Sequence, residues 1–86
     1  MPDLMNKLTI ALQGLDLENP VIDVYRFDGS IMATIISDSY TEMDEAERQK
    51  RVWEALFVAL TEEERAAVEF VFTFAPGEQE PTEEAV

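Results

Sequence analysis

The stretch Val21-Ile22-Asp23-Val24-Tyr25-Arg26-Phe27-Asp28-Gly29-Ser30-Ile31-Met32-Ala33-Thr34-Ile35-Ile36 decides the fold. Asp28-Gly29 is the strongest short signal for a hairpin, because a two-residue primed turn needs positive φ at both central positions. Apolar residues dominate both flanks, with partial alternation in the first and a β-branched run in the second. A turn at Asp28-Gly29 sets Phe27 opposite Ser30, Val24 opposite Ala33 and Ile22 opposite Ile35. Ile22, Val24, Ile31, Ala33 and Ile35 then share one face, the candidate core face. Asp23, Tyr25, Ser30 and Thr34 are expected on the other, toward water.

Upstream, Leu4, Leu8, Ala11, Leu12 and Leu15 recur at steps of three and four, which predicts an amphipathic helix over about 3–13. Gly14 and Glu18-Asn19-Pro20 end it. Downstream, Ser37-Asp38-Ser39-Tyr40-Thr41 leads into a second helix, with Thr41 or Ser39 as the expected N-cap and Tyr40 as the preceding residue of a hydrophobic staple. Glu42, Asp44, Glu45 and Glu47 load its first turns, where the helix dipole favours anions. Val52 to Leu60 is apolar nearly all round, so the C-terminal half is expected to be buried, Trp53 included. Thr61-Glu62-Glu63-Glu64 reads as a capping box opening one short helical turn. Val68 to Phe74 reads as a strand with Phe70, Phe72 and Phe74 on one face and Val71 and Thr73 on the other; the phenylalanines are expected in the core. Pro76-Gly77 stops it. The expected architecture is a two-layer α+β sandwich, a three-stranded sheet covered on one face by two main helices in the order α-β-β-α-α-β. The long connection allows the last strand to lie parallel to a hairpin member. Residues 1–76 form the single expected domain, and 77–86 an acidic, solvated, disordered tail.

The composition bounds the chemistry. Of 86 residues, 47% are apolar, and six Lys and Arg face nineteen Asp and Glu for a net charge of −13. That balance disfavours bare phosphate backbones and anionic membrane surfaces. The sequence holds no cysteine and no histidine, which excludes disulfides, thiol chemistry, imidazole catalysis, His-ligated zinc and Cys-ligated clusters within this chain. No apolar stretch approaches a membrane span and the first residues carry no signal-peptide pattern, so a cytoplasmic address is expected.

The segment from Ser37 to Leu56 resembles the strand-to-helix segment of the BolA-like family, whose topology is KH-like. There a Ser-Asp-x-aromatic turn runs through Arg-His-Arg to an aliphatic, an aromatic and a leucine; Ser37, Asp38, Tyr40, Arg48, Lys50, Val52, Trp53 and Leu56 fit without a gap. The resemblance extends loosely over residues 3 to 76 and implies the same α+β fold. It also implies an iron–sulfur cluster shared with glutaredoxin partners, through a histidine at the start of the last strand. This chain has Arg65-Ala66-Ala67-Val68 there. The family's longer first hairpin loop, which supplies another ligand in many members, is cut to Asp28-Gly29, and Arg-His-Arg is reduced to Arg48-Gln49-Lys50. The cluster role therefore does not carry over, and no cofactor is expected.

Arg48, Lys50 and Arg51 place half of the cations within four residues. They are the candidate contacts for an anion or a partner; the plainer reading pairs them with Asp44, Glu45, Glu47 and Glu54 at helical spacing. Phe70, Phe72 and Phe74 have a second reading as an exposed stacking platform of the kind found in RNA-binding sheets. Ser37-Asp38-Ser39 lacks a partner base and reads as turn and cap chemistry. Glu62-Glu63-Glu64 reads as a solvated run. The expected function is a small non-enzymatic module binding another protein, with the acidic surface suiting a basic partner. The alternative is a nucleic-acid-associated regulator using Arg48, Lys50 and Arg51.

Overall fold

A computed structural model describes residues 3–78. The order is α1 (Leu4–Gln13), β1 (Val21–Phe27), β2 (Ser30–Ile36), a 3-10 turn (Asp38–Tyr40), α2 (Glu45–Ala59), α3 (Glu62–Ala66) and β3 (Val68–Phe74). The sheet runs β1-β2-β3, with β1 antiparallel and β3 parallel to β2. The α+β class, the element order and the parallel last strand all match the sequence-based expectation.

The hairpin forms in the expected register, with Ile22 opposite Ile35, Val24 opposite Ala33 and Phe27 opposite Ser30. Asp28 and Gly29 have φ of 55° and 84°, the left-handed pair a primed two-residue turn demands. Ile31, Ala33 and Ile35 are buried beneath the helices together with Leu8 and Leu12 of α1, Val52 and Leu56 of α2, and Leu60 and Tyr40 from the connections. The capping box at Thr61 is complete: its hydroxyl accepts from Glu64 N–H at 3.1 Å, and its own N–H donates to the Glu64 carboxylate at 2.9 Å. Lys7 of α1 bonds the same carboxylate at 2.7 Å, tying the first helix to α3 and holding Glu64 below the usual carboxylate pKa.

Four expectations need correction. First, α2 starts later than Ser39 or Thr41 suggested: Asp44 is its N-cap, accepting from Glu47 N–H at 2.9 Å. Ser37 caps the preceding 3-10 turn by accepting from Ser39 N–H at 3.0 Å. Several short polar residues competed for the cap, and the 3-10 turn took the earlier ones. Second, Tyr40 does not hold the staple position: with Asp44 as N-cap that place falls to Met43, and Tyr40, further upstream, is wholly buried in the core.

Third, Phe70, Phe72 and Phe74 lie on the sheet face away from the helices. The ladder pairs Ala33 with Val71 and Ile35 with Thr73, so Val71 and Thr73 face the core, while Met32, Thr34 and Ile36 pair with the phenylalanines. An irregularity between Ile31 and Met32 lets Val68 also face inward, with Glu69 as the extra residue. Alternation separates the two sets but does not say which one the helices cover when both are apolar. Fourth, the C-terminal half of α2 is not buried all round. Val52 and Leu56 are inside, Trp53 is half-buried, and Phe57 and Val58 are 67% and 86% exposed. A helix lying on one sheet buries a stripe, whatever the composition of its outer face.

Glu78, grouped with the tail in the sequence reading, is held in place: its carboxylate accepts from Ala75 N–H at 2.8 Å and from the Arg48 guanidinium. The remainder of the expected tail, 79–86, lies outside the described residues.

Candidate functional site

Arg48, Lys50 and Arg51 sit within one turn of α2 and point to three different environments. Arg48 is only 6% exposed. Its Nε donates to Met43 O at 2.9 Å, Nη1 to Thr73 O at 3.1 Å, and Nη2 to Tyr40 O. Nη1 and Nη2 also grip Glu78 Oε1 and Oε2 at 2.8 and 3.0 Å, a bidentate fork. The Glu78 hydrogen bond raises the Arg48 pKa further and lowers that of Glu78 to about 2. Arg51 Nε donates to Glu47 at 2.7 Å, and Lys50 lies 3.9 Å from Glu54. The helical-spacing reading describes Lys50 and Arg51 and, more loosely, Arg48, whose Nη1 lies 3.8 Å from Glu45. For Arg48 the principal partner is thirty residues away in sequence, beyond the reach of any spacing rule.

Next to Arg48, Gln49 Nε2 donates to Val71 O at 2.9 Å, and its Oε1 accepts from Trp53 Nε1 at 3.3 Å. Arg48 and Gln49 thus satisfy two carbonyls on the outer edge of β3, acceptors that an added strand would otherwise use. Ser37-Asp38-Ser39 also does structural chemistry. Ser37 Oγ donates to Glu18 O at 2.8 Å, Ser39 Oγ accepts from Glu18 N–H at 3.0 Å, and Asp38 accepts from Asn19 Nδ2 at 3.2 Å. These bonds fasten the α1–β1 connection to the 3-10 turn.

On the open face of the sheet, the phenylalanines of β3 join Asp23, Tyr25, Ser30 and Thr34, which the sequence reading places toward water. The rows of this face are Val21, Ile36 and Phe74; Asp23, Thr34 and Phe72; Tyr25, Met32 and Phe70; and Phe27 with Ser30. Phe70 and Phe72 meet edge to face at 4.6 Å between centroids, and Phe72 stacks on Phe74 at 6.4 Å. Val21, Phe27 and Phe70 are 60%, 66% and 41% exposed. The aromatic ladder is the geometry of the stacking-platform reading. A clue lay in the strand itself: Val71 and Thr73 are β-branched and compact, the sizes that fit over Ala33 beneath a helix. A smaller apolar patch lies on α2, where Trp53, Phe57 and Val58 meet the stems of Lys50 and Glu54; Arg65 crosses the Phe57 ring at 4.4 Å.

An iron–sulfur cluster does not fit this chain. The position at which the resemblance implies a ligand is the corner between α3 and β3, where Ala66 and Ala67 are exposed and carry only methyl groups. Among the described residues no three carboxylates converge to hold a metal ion, and none of their helices is long and apolar enough to cross a membrane.

No protein-family model and no curated protein matches the sequence. Among solved structures, BolA1 from Arabidopsis thaliana is similar over 92% of this chain and 99% of that one, with a TM-score of 0.59 at 18% identity. The helix order, the hairpin and the parallel β3 therefore make up a BolA-like fold, in which Arg48 and Gln49 lock α2 onto the last strand.

Proposed function

We propose that this chain is a small, non-enzymatic protein-binding module: a BolA-like domain that works without iron–sulfur ligands. The observation that carries the reading is the open sheet face, where Phe70, Phe72, Phe74, Met32, Ile36, Tyr25, Val21 and Phe27 share one side of the sheet and no helix of the described residues lies over them. Large exposed apolar patches mark interaction sites in soluble proteins. The net charge of −13 favours a basic partner. The nucleic-acid reading has less support, because Arg48 is enclosed and Lys50 and Arg51 each face a carboxylate of α2.

Photo-crosslinking in the native cell tests the reading. A benzophenone amino acid at position 70 of the full chain should yield a covalent adduct with another protein, and one at position 62 on α3 should not. The same probe at position 57 reports on the α2 patch. Adducts from neither 70 nor 57 would sink the module reading.

A further inference from the structure

The open sheet face has a charge pattern as well as an apolar floor. Asp23 sits within it, in register with Thr34. Together with Val21, Tyr25, Thr34 and Ile36 it lines a shallow hollow along the β1 side. At the hairpin end, Asp28 and Glu69 line a second hollow with Phe27, Ser30 and Met32, and Ser30 Oγ donates to Glu69 at 3.2 Å. None of the chain's six cations belongs to this face. Lys7, Lys50, Arg51 and Arg65 are on the helices, Arg48 is enclosed, and Arg26 pairs with Ile31 on the helix-covered side of the hairpin. The face thus has an apolar floor, carboxylates in both hollows and no positive charge.

We propose that this face seats a basic amphipathic helix of another protein, completing a third layer over the sheet. Helices covering both faces of a sheet is a standard way to bury it. The partner's apolar stripe would lie on Phe70, Phe72, Met32 and Ile36, while lysine or arginine stems run over Tyr25 and Phe27 to bring their heads to Asp23, Asp28 and Glu69. Strands of seven residues span roughly 20–24 Å, which a helix of about sixteen residues matches. On the β3 edge the carbonyls of Val71 and Thr73 are already taken by Gln49 and Arg48, so a strand added there would lose two of its ladder bonds. A second copy of this chain would bring the same carboxylates against these. RNA would stack on the phenylalanines, but its phosphates would meet carboxylates and no cation.

The inference rests on the module reading and names its surface and partner chemistry. The test uses the full chain labelled with 15N and a sixteen-residue helical peptide with leucines on one face and flanking lysines. Amide shifts should move saturably at Tyr25, Thr34 and Phe72. Asp23→Lys with Glu69→Lys should weaken binding at least tenfold, whereas Glu62→Lys with Glu63→Lys, an equal change in net charge on α3, should weaken it less than threefold. Thermal melts establish that each variant is folded. Asp28→Lys with Glu69→Lys replaces the first pair if that variant is not folded.

Equal weakening by both pairs would overturn the proposal. So would shifts confined to Phe57 and Val58, equal binding of a peptide with glutamate in place of lysine, tighter binding of oligouridine RNA, or concentration-dependent dimerisation through the same amides. An adduct from position 70 with no binding of the lysine peptide leaves the module reading standing and removes the basic helix. No adduct from 70 or 57 removes the module reading itself, whatever the peptide does.

Discussion

Glu78 and Arg48 join the end of the described chain to the start of α2, and the pair can be dissected by pH. Arg48 is enclosed and bonds three backbone carbonyls besides the carboxylate, so it anchors Tyr40, Met43 and Thr73 at once. The guanidinium and the Ala75 N–H lower the Glu78 pKa from 4.5 to about 2. A carboxylate depressed on folding adds stability that is present in full above its unfolded pKa and lost as pH falls through the folded one. Glu78→Gln should cost about 1–2 kcal/mol at pH 7, a figure that allows for solvent reaching the half-exposed carboxylate. The gap between wild type and variant should close as the pH drops from about 4.5 to about 2. Urea melts across that window measure it. An undiminished gap at the acid end would mean that shape, not charge, is what Glu78 contributes.

Among the elements, the hairpin was the most legible and β3 the least, for opposite reasons. The Asp28-Gly29 turn is encoded locally: its φ values of 55° and 84° suit glycine at the second position, and a two-residue loop there fixes the register of both strands. An added side chain at Gly29 would meet nothing within 4 Å, so any cost of substitution there comes from backbone strain alone. Gly29→Val should cost more than about 1 kcal/mol, and Gly29→Asn clearly less, in chemical denaturation. Equal losses would show that the turn relaxes to another type. β3 offered two apolar faces, and the choice between them depends on what α2 can cover, which is a tertiary fact. The start of α2 was obscured because Ser39, Thr41 and Asp44 are all competent caps. The bond between Arg48 and Glu78 and that between Gln49 and Val71 O were invisible for a further reason: each joins residues more than twenty apart, where spacing rules have no reach. The partner surface proposed on the sheet face follows from where β3 puts its phenylalanines, which the sequence did not decide.

On the scale of the whole molecule, the cluster role that the sequence resemblance implies and the donor set of this chain point in different directions. Cluster ligation needs thiolate or imidazole donors, and the sequence has neither. The corner where the resemblance implies a ligand carries Ala66 and Ala67, whose methyl groups cannot coordinate iron. Glu64, the nearest carboxylate in sequence to Ala66, is already engaged by Lys7 and the Thr61 N–H. Glu69, beyond the corner, accepts from Ser30 and offers only hard oxygen donors, which suit iron poorly beside sulfide. Anaerobic reconstitution with iron and sulfide, with or without a glutaredoxin, should therefore give no cluster bound through this chain. Gel filtration followed by visible absorption, compared with glutaredoxin alone, measures this. A new band co-eluting with a complex of the two proteins and lost in Glu69→Ala would defeat the expectation and show carboxylate ligation. If instead the two proteins co-elute with no added absorption, this chain binds a glutaredoxin without a metal between them. Photo-crosslinks from position 70 would then show whether that contact uses the open sheet or the helix layer.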